Sequence, residues 1–407
     1  MGFVVVMVTT SYPRFPGDGV GTFMEPIATC IAARGHEVHV VAPWHPRITR
    51  AAFEQGVRYH FFKYAPHPSL NVFGYAEAMR ADVRVRRTAF LAAPLAMAAG
   101  WRAARQVARD YNAMIMHGHW VIPGGAIALA AAGRLPLVIS LHGSDVFVAE
   151  KLSVARMVAQ RVFRRASAVT ACSRDLAERA VMLGADAARV EVVPYGVDVT
   201  RFRPDGAARS RLRGRLGMAE DTLLVVAAGR LVRKKGFEYL IDAMARVPGS
   251  VNAVAAVAGD GDLRDELRAR VEAAGISQRV RFLGNQPQDE IAGWLAAADI
   301  AVVPSVKDDS GNVDGLPNLV LEALASGSAL VTTAAGGIGS VVQPGVTAEV
   351  VPERDAAALA AAIERLAADP ARRARLGAAA RQLATERFGW EETARKFEAA
   401  YERALAK

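Results

Sequence analysis

Residues 299–337 constrain the fold of this chain more than any other stretch. Ile300–Val303 is a short apolar run rich in β-branched residues, the pattern of a buried strand, and Pro304-Ser305 ends it. Residues 306–316 hold Asp, Ser, Gly and Asn and little that is apolar, so a loop is expected at the strand's C-terminal end. Pro317 suits the first turn of a helix and Gly327 its C-terminal cap. Parallel α/β sheets bind ligands where strand ends open into such loops. Asp314 lies on the loop, and Glu322, eight residues on, lies inside the helix on the face of Asn318. The first N–H groups of that helix, near Leu316–Leu319, point toward an anion. This layout suits a phosphorylated, hydroxyl-rich molecule. A plain strand–loop–helix with solvated carboxylates has the same spacing.

The same residues carry a resemblance. The stretch is similar to the E-x7-E segment of the retaining glycosyltransferases of family 4, which have the GT-B fold. In the branch it most resembles, the segment reads Glu-Gly-Leu-Pro-Asn and continues to Glu-Ala. This chain has Gly315-Leu-Pro-Asn318 and Glu322-Ala323, with Asp314 where the first Glu is usual. Asp keeps the charge and reaches one methylene less far. The resemblance implies that Asp314 orients the donor sugar and that Glu322 holds the ribose diol. It also places Gly315, Leu316, Asn318 and Leu319 in the donor-binding turn.

The chain has 407 residues, which favours two domains over a single core. Hydrophobic residues are 52% and charged residues 22%, the balance of a globular protein. No apolar run reaches the ~18 residues of a membrane span, and the nearest, Ala89–Trp101, is broken by Pro94. Met1 runs straight into the apolar Phe3–Val8, so no secretory leader is expected. Cys30 and Cys172 are the only cysteines, which fits a reducing cytosol and argues against a disulfide or zinc site.

The net charge of +9 is clustered. Arg80, Arg84, Arg86, Arg87, Arg102, Arg105 and Arg109 face one acid in their span, Asp82. From Lys151 to Arg165 there are five cations and no acid. Such a surface meets nucleic acid, an anionic membrane or a phosphorylated substrate, or is simply a solvated helix face. No basic motif interleaved with aromatics appears, so nucleic acid is not an expected partner.

Along the first half, Phe3–Val8 is expected as a strand and 9–21 as a loop carrying Gly17, Gly19 and Gly21. Thr22–Arg34 follows as a helix closed by Gly35, then Val38–Ala42 as a strand. This is a Rossmann-like opening. The G-x-G-x-x-G pattern is absent, and Pro43-Trp44 stands where an acid would hold an NAD ribose, which lowers the dinucleotide reading. The opening resembles that of family 4, and the resemblance puts Gly19 and Gly21 in a turn across the cleft from the donor. Residues 75–109 read as one or two helices rich in Ala and Arg.

Ala113–Met116 and Leu137–Leu141 are expected strands, with His117-Gly-His119 and His142-Gly-Ser-Asp145 at their ends. Histidine there serves as hydrogen-bond donor, base or metal ligand, or packs a loop. No third ligand stands at metal-like spacing, so no metal is expected. The His142 turn resembles the His-Gly-x-Asp turn of family 4, which implies that His142 contacts the donor sugar. Val190–Val193 leads to Pro194-Tyr-Gly196-Val-Asp198, similar to the turn that closes the family's N-terminal domain.

Thr222–Ala228 restarts the βα alternation and leads into Gly229-Arg230 and Lys234-Lys235-Gly236 before the helix Phe237–Val247. Backbone N–H groups, a helix dipole and fixed cations converge there, as a diphosphate requires; a basic solvated turn is the alternative. The segment resembles the family's G-R-L-x-x-x-K-G, which maps Arg230 and Lys235 onto its phosphate-binding pair. Lys234 takes that place if the register slips by one. Gly259-Asp-Gly261 is similar to the family's Gly-x-Gly turn, and Gly336-Gly337-Ile338 to its glycine turn. Gly339-Ser340 and Thr347-Ala-Glu349 depart from the family pattern.

The expectation is therefore an α/β, GT-B chain, with two Rossmann-like parallel-sheet domains facing a central cleft. The domains fall at 1–198 (acceptor side) and 221–386 (donor side), joined by a linker at 199–220. A helix at 387–407 crosses back to the first domain. The resemblance implies a metal-independent retaining hexosyltransferase with no cofactor. Its donor is a UDP- or GDP-linked sugar and its acceptor a glycan or lipid-linked saccharide. The expected location is the cytoplasm, peripheral on the inner face of an anionic membrane. A GT-B sugar-nucleotide epimerase, a phosphorylase-like enzyme and a non-catalytic nucleotide-sugar binder are the rivals. Nothing in the chain suggests the lysine that a pyridoxal-dependent phosphorylase needs.

Overall fold

The computed structural model describes the chain except for residues 1, 66, 68–70, 72–73, 76–78, 81–83, 86, 220 and 407, and except for the side chains of 79–80, 84–85, 87–91 and 144. It forms two units, residues 1–196 with 390–407, and residues 197–389.

The first unit is built on an eight-stranded sheet in the order Val190–Val192, Ala168–Ala171, Leu137–Leu141, Ile115–His119, Val4–Val8, Glu37–Pro43, Val57–Phe62, Phe53–Glu54. All pairings are parallel except the last. Parallel strands are covered on both faces, so they appear as unbroken apolar runs rather than alternating ones. Val5, Val6, Met7 and Val8 are all fully buried. The first strand lies between the Glu37–Pro43 and Ile115–His119 strands, so the strand order reverses beside it. Ligands gather outside the strand ends at such a reversal.

The last helix, Trp390–Leu405, belongs to this unit. Phe397 and Tyr401 bury one of its faces. Arg34 at the end of helix Met24–Ala33 bonds Glu398, with Nε 2.8 Å from Oε2, and also pairs with Glu391. No helix among the described residues is long and apolar enough to cross a membrane.

The second unit carries a six-stranded, wholly parallel sheet in the order Val280–Gly284, Ala253–Ala258, Leu223–Ala228, Ile300–Val303, Ala329–Thr332, Ala348–Val350. Its core joins Val225 and Ala227 of the central strand to Leu240, Ile241 and Met244 of helix Phe237–Arg246, and to Leu359, Ile363 and Leu366 of helix Ala356–Ala368. Here the order reverses between Leu223–Ala228 and Ile300–Val303. The segments that leave those two strands are 229–236 and 304–317.

Two stretches differ from expectation. Within 75–109, Met79–Arg80 pairs antiparallel with Arg84–Val85, and the helix runs from Arg87 to Asp110. The rest of that expectation, at 76–78, 81–83 and 86, lies outside the described residues. The expected linker at 199–220 belongs to the second unit and contains a helix, Gly206–Arg215. Asp205 caps it by accepting from Ala208 N at 2.9 Å. Arg209 and Arg213 then both reach Asp299, at 2.6 and 2.9 Å. Its Arg and Gly content resembles a loop, yet these side chains tie it to the sheet.

Candidate functional site

In the second unit, the Leu223–Ala228 strand feeds the turn 229–236, and Ile300–Val303 feeds the loop that carries Asp314. Two glycines let these segments close. Gly236 has φ +66°, and a Cβ on it would lie 2.0 Å from Pro304 O. Gly259 has φ +133°, and a Cβ there would lie 1.9 Å from Gly229 O. Neither position takes a side chain unless the facing backbone shifts. Val306 N donates to Lys234 O at 2.9 Å, which locks the two loops together.

The consequence is a charge cluster. Lys234 Nζ lies 3.1 Å from Asp314 Oδ1, and Lys235 Nζ lies 2.6 Å from Asp314 Oδ2. The Lys235 contact is an ion pair without the alignment of a hydrogen bond. Burial alone would raise the Asp314 pKa, but Lys235 and Lys234 hold it well below the usual carboxylate range. Two ammonium groups share one carboxylate, so the cluster keeps a surplus positive charge. Arg230 is exposed in the same turn, five residues before Lys235.

Helix Asn318–Ser326 begins beside this cluster with Pro317 at its N-cap and no capping side chain. Its far end closes on Gly327 at φ 70°. Gly315, Leu316 and Leu319 are buried and Asn318 is half-buried. Glu322, one turn into the helix, is also half-buried, and Gln288 Nε2 donates to its Oε1 at 3.4 Å. Burial pushes its carboxyl up to about 7, against the opposing pull of Gln288, Lys235 and Arg201. Arg201 is set by Gln288, whose Oε1 accepts from its Nη1 at 2.7 Å, and by Asp289 at 3.0 Å.

The other residues singled out in the sequence lie in the first unit. Gly19 is exposed and Gly21 adopts φ +62°, its carbonyl accepting from Met24 N at 2.8 Å. Their loop is braced by a buried pair, Arg14 Nε to Asp18 Oδ2 at 2.6 Å and Arg14 Nη2 to Asp18 Oδ1 at 3.0 Å. Burial works against the Asp18 carboxylate, but the Arg14 bonds win and hold its pKa below the ordinary value.

His142 sits in a chain of rings. Its Nδ1 is 2.9 Å from the Tyr195 hydroxyl and its Nε2 3.1 Å from Nδ1 of His119. Phe23 packs against it with ring centroids 4.8 Å apart. His117 is held by Ser140 Oγ at 2.7 Å and by the Tyr401 hydroxyl at 2.8 Å. Burial depresses all three imidazoles, His119 to about 3, so the chain is neutral near pH 7. Asp145 clamps the turn, accepting from Val121 N at 2.6 Å and Gly143 N at 3.2 Å, and burial pushes its carboxyl up to about 6. Among the described residues, no group of three or more His, Cys, Asp or Glu is disposed to hold a metal ion.

The structure thus joins Asp314 to Lys235 directly and sets Lys235 and Glu322 in one electrostatic neighbourhood. Lys234 is a full partner rather than a substitute for Lys235. Gln288 and Arg201 were not singled out in the sequence. Both stand far from Glu322 along the chain, and no local pattern marks them.

Comparison with known proteins shows the family to which the chain belongs. Residues 17–201 match the family described as Glycosyltransferase Family 4, and residues 208–383 match Glycosyl transferases group 1. The chain is 31% identical over 401 residues to a GDP-mannose-dependent alpha-(1-6)-phosphatidylinositol monomannoside mannosyltransferase of Mycobacterium tuberculosis, covering 96% of each chain. It is 35% identical over 296 residues to a D-inositol 3-phosphate glycosyltransferase of Xylanimonas cellulosilytica, covering 69% of each. Among solved structures, a sucrose-phosphate synthase of Thermosynechococcus elongatus superposes with a TM-score of 0.80 at 21% identity, covering 99% of each chain.

Proposed function

The chain belongs to family 4 of the GT-B glycosyltransferases, enzymes that use nucleotide sugars, and from that premise we propose a retaining, metal-independent transfer of a hexose to an acceptor hydroxyl. The observation that carries the proposal is the double lysine on Asp314. A carboxylate shared by two ammonium groups holds both in place without cancelling their charge. The surplus suits a diphosphate, and Lys235, the less buried of the two, is the member to contact it. Arg230 and the N-terminus of helix Asn318–Ser326 add to the same field.

In the proposed reaction, the acceptor oxygen bonds to the anomeric carbon as the bond to the β-phosphate oxygen breaks. Attack and departure occur on the same face, and the departing phosphate oxygen takes the acceptor's proton. No strong protein base is then needed. Fixed cations stabilise the charge growing on the diphosphate, the service a metal ion would otherwise supply. Glu322 accepts from the two ribose hydroxyls, each charge-assisted bond worth about 1.5–3 kcal/mol net. Asp314 and His142 orient the sugar, while Gly19, Gly21 and Gly259 let backbone approach the donor.

The mycobacterial relative is named for a GDP-mannose donor and a phosphatidylinositol-based acceptor. We take a GDP- or UDP-linked hexose as donor and a glycan or lipid-linked saccharide as acceptor. The site is cytoplasmic and peripheral to an anionic membrane. The test is incubation with GDP- and UDP-sugars in the presence of a chelator, following release of nucleoside diphosphate and the anomeric configuration of the product by NMR. Release from one sugar with the donor's configuration kept is the expected result. An inverted product, or a strict metal requirement, overturns the respective part. Free nucleotide formed with no acceptor and an epimerised sugar points to the epimerase.

A further inference from the structure

We propose that helix Ser153–Arg165 docks the first unit on an anionic lipid surface through one mixed stripe of apolar and basic side chains. The proposal rests on the membrane-facing reading above and names the surface that would make the contact. Val154, Met157, Arg161 and Arg164 stand at i, i+3, i+7 and i+10, on one face of the helix. Val154 is 67% exposed and Met157 61%, and Leu152, just before the helix, is 50% exposed. Arg161 and Arg164 are exposed as well. The opposite face is spent on the core, with Ala159, Val162 and Phe163 buried. The stripe is therefore not a core face seen by mistake.

The neighbouring helix Arg174–Met182 extends the apolar part. Met182 at its end is 75% exposed. A Cβ on Gly184 would meet Gln160 Cγ at 3.7 Å, which places that end against the same helix. Three large apolar side chains in six residues, all facing water, are unusual for a surface helix without a partner.

The charge decides what partner fits. Lys151, Arg156, Arg161, Arg164 and Arg165 fall within this stretch with no acid among them. Two carboxylates beside the stretch, Glu150 and Asp175, are already matched to Arg179. Glu150 bonds Arg179 at 3.0 Å through both oxygens, and Asp175 bonds the same arginine at 2.8 Å. Glu178 is the exposed acid of the neighbouring helix. Apolar side chains that enter the acyl boundary, beside arginines at headgroup level, match an interfacial helix on anionic lipid.

The test uses the full chain and vesicles of phosphatidylcholine, with and without phosphatidylglycerol, in a sedimentation assay. Two double variants are compared, Val154→Glu with Met157→Glu, and Arg161→Glu with Arg164→Glu. The wild type is expected to pellet with the anionic vesicles and to be released by salt. Each double variant should bind them at least about tenfold more weakly. Nucleotide-sugar hydrolysis measured without vesicles should be unchanged in both, which shows an intact fold and tests the donor chemistry separately. Binding to neither vesicle, equal binding to both, or full binding by either variant overturns the proposal.

Discussion

Lys235 reaches Asp314 with its Nζ 2.6 Å from Oδ2, and the adjacent Lys234 takes the other oxygen at 3.1 Å. Both lysines therefore point at one acceptor. They do so here because the short 3-10 turn at 233–235, closed by Gly236, puts both on the side of the 304–317 loop. The pair links the architecture to the chemistry, since each loop leaves one of the two strands at which the sheet order reverses.

Removing the shared carboxylate takes away the group on which both lysines converge. Asp314→Asn should destabilise the second unit by about 3–5 kcal/mol, because it breaks two ion pairs made in a largely buried setting. Asp314→Glu, which keeps the charge, should retain most of the stability. Chemical denaturation of the two variants checks this. Equal loss in both would mean that the loop's shape, not its charge, is what matters.

The close approach of the two loops depends on residue 236. Gly236→Ala places a methyl where Pro304 O stands and forces φ +66° on a residue with a Cβ. A stability loss on the order of 1–3 kcal/mol is expected, together with a fall in donor turnover as the lysines shift. A thermal melt beside an activity assay measures both. Unchanged turnover would separate the turn from the site.

Glu322 gives a pH signature. Its folded pKa of about 7 lies above the ordinary carboxylate value. A carboxylate accepts from both ribose hydroxyls and a protonated acid does not, so the donor KM should rise as pH falls below 7. Stability has the opposite sign. The raised pKa disfavours the fold once the unfolded chain has lost its proton, and the penalty is complete above pH 7. Glu322→Gln should therefore raise Tm at pH 8 by a few °C while weakening donor binding. The check is Tm and KM measured on the same variant at pH 6 and pH 8.

The histidine chain predicts acid lability. His117, His119 and His142 are neutral when folded and gain protons near pH 6.5 when unfolded. Stability should fall steadily as pH drops below 6.5, because the unfolded chain binds more protons there. The His119 imidazole NMR signals should not titrate between pH 5 and 8. A titrating His119 would show that its ring is open to solvent.

Much of this was legible in the sequence. The parallel strands are unbroken apolar runs, and glycines mark the turns that follow them, so Ile300–Val303, the Asp314 loop and helix Asn318–Ser326 could be drawn in advance. Residues supplied from a distance could not. Arg201 and Gln288 meet near Glu322 although 87 residues separate them, and Arg14 and Asp18 form a buried pair inside what reads as an ordinary loop. The helix at 206–215 was hidden by its arginines and glycines, because Asp299, which anchors it, lies far along the chain. Val154 and Met157 were hidden differently. Apolar residues at helical spacing look like core until the packed face of the helix is known.

Calorimetric titration of GDP and UDP into the wild type and Lys235→Ala tests the central claim most directly. The account predicts binding of one diphosphate by the wild type and a loss of roughly tenfold or more in the variant, as befits a charge-assisted contact of about 1.5–3 kcal/mol. Equal affinity in the two proteins would contradict it.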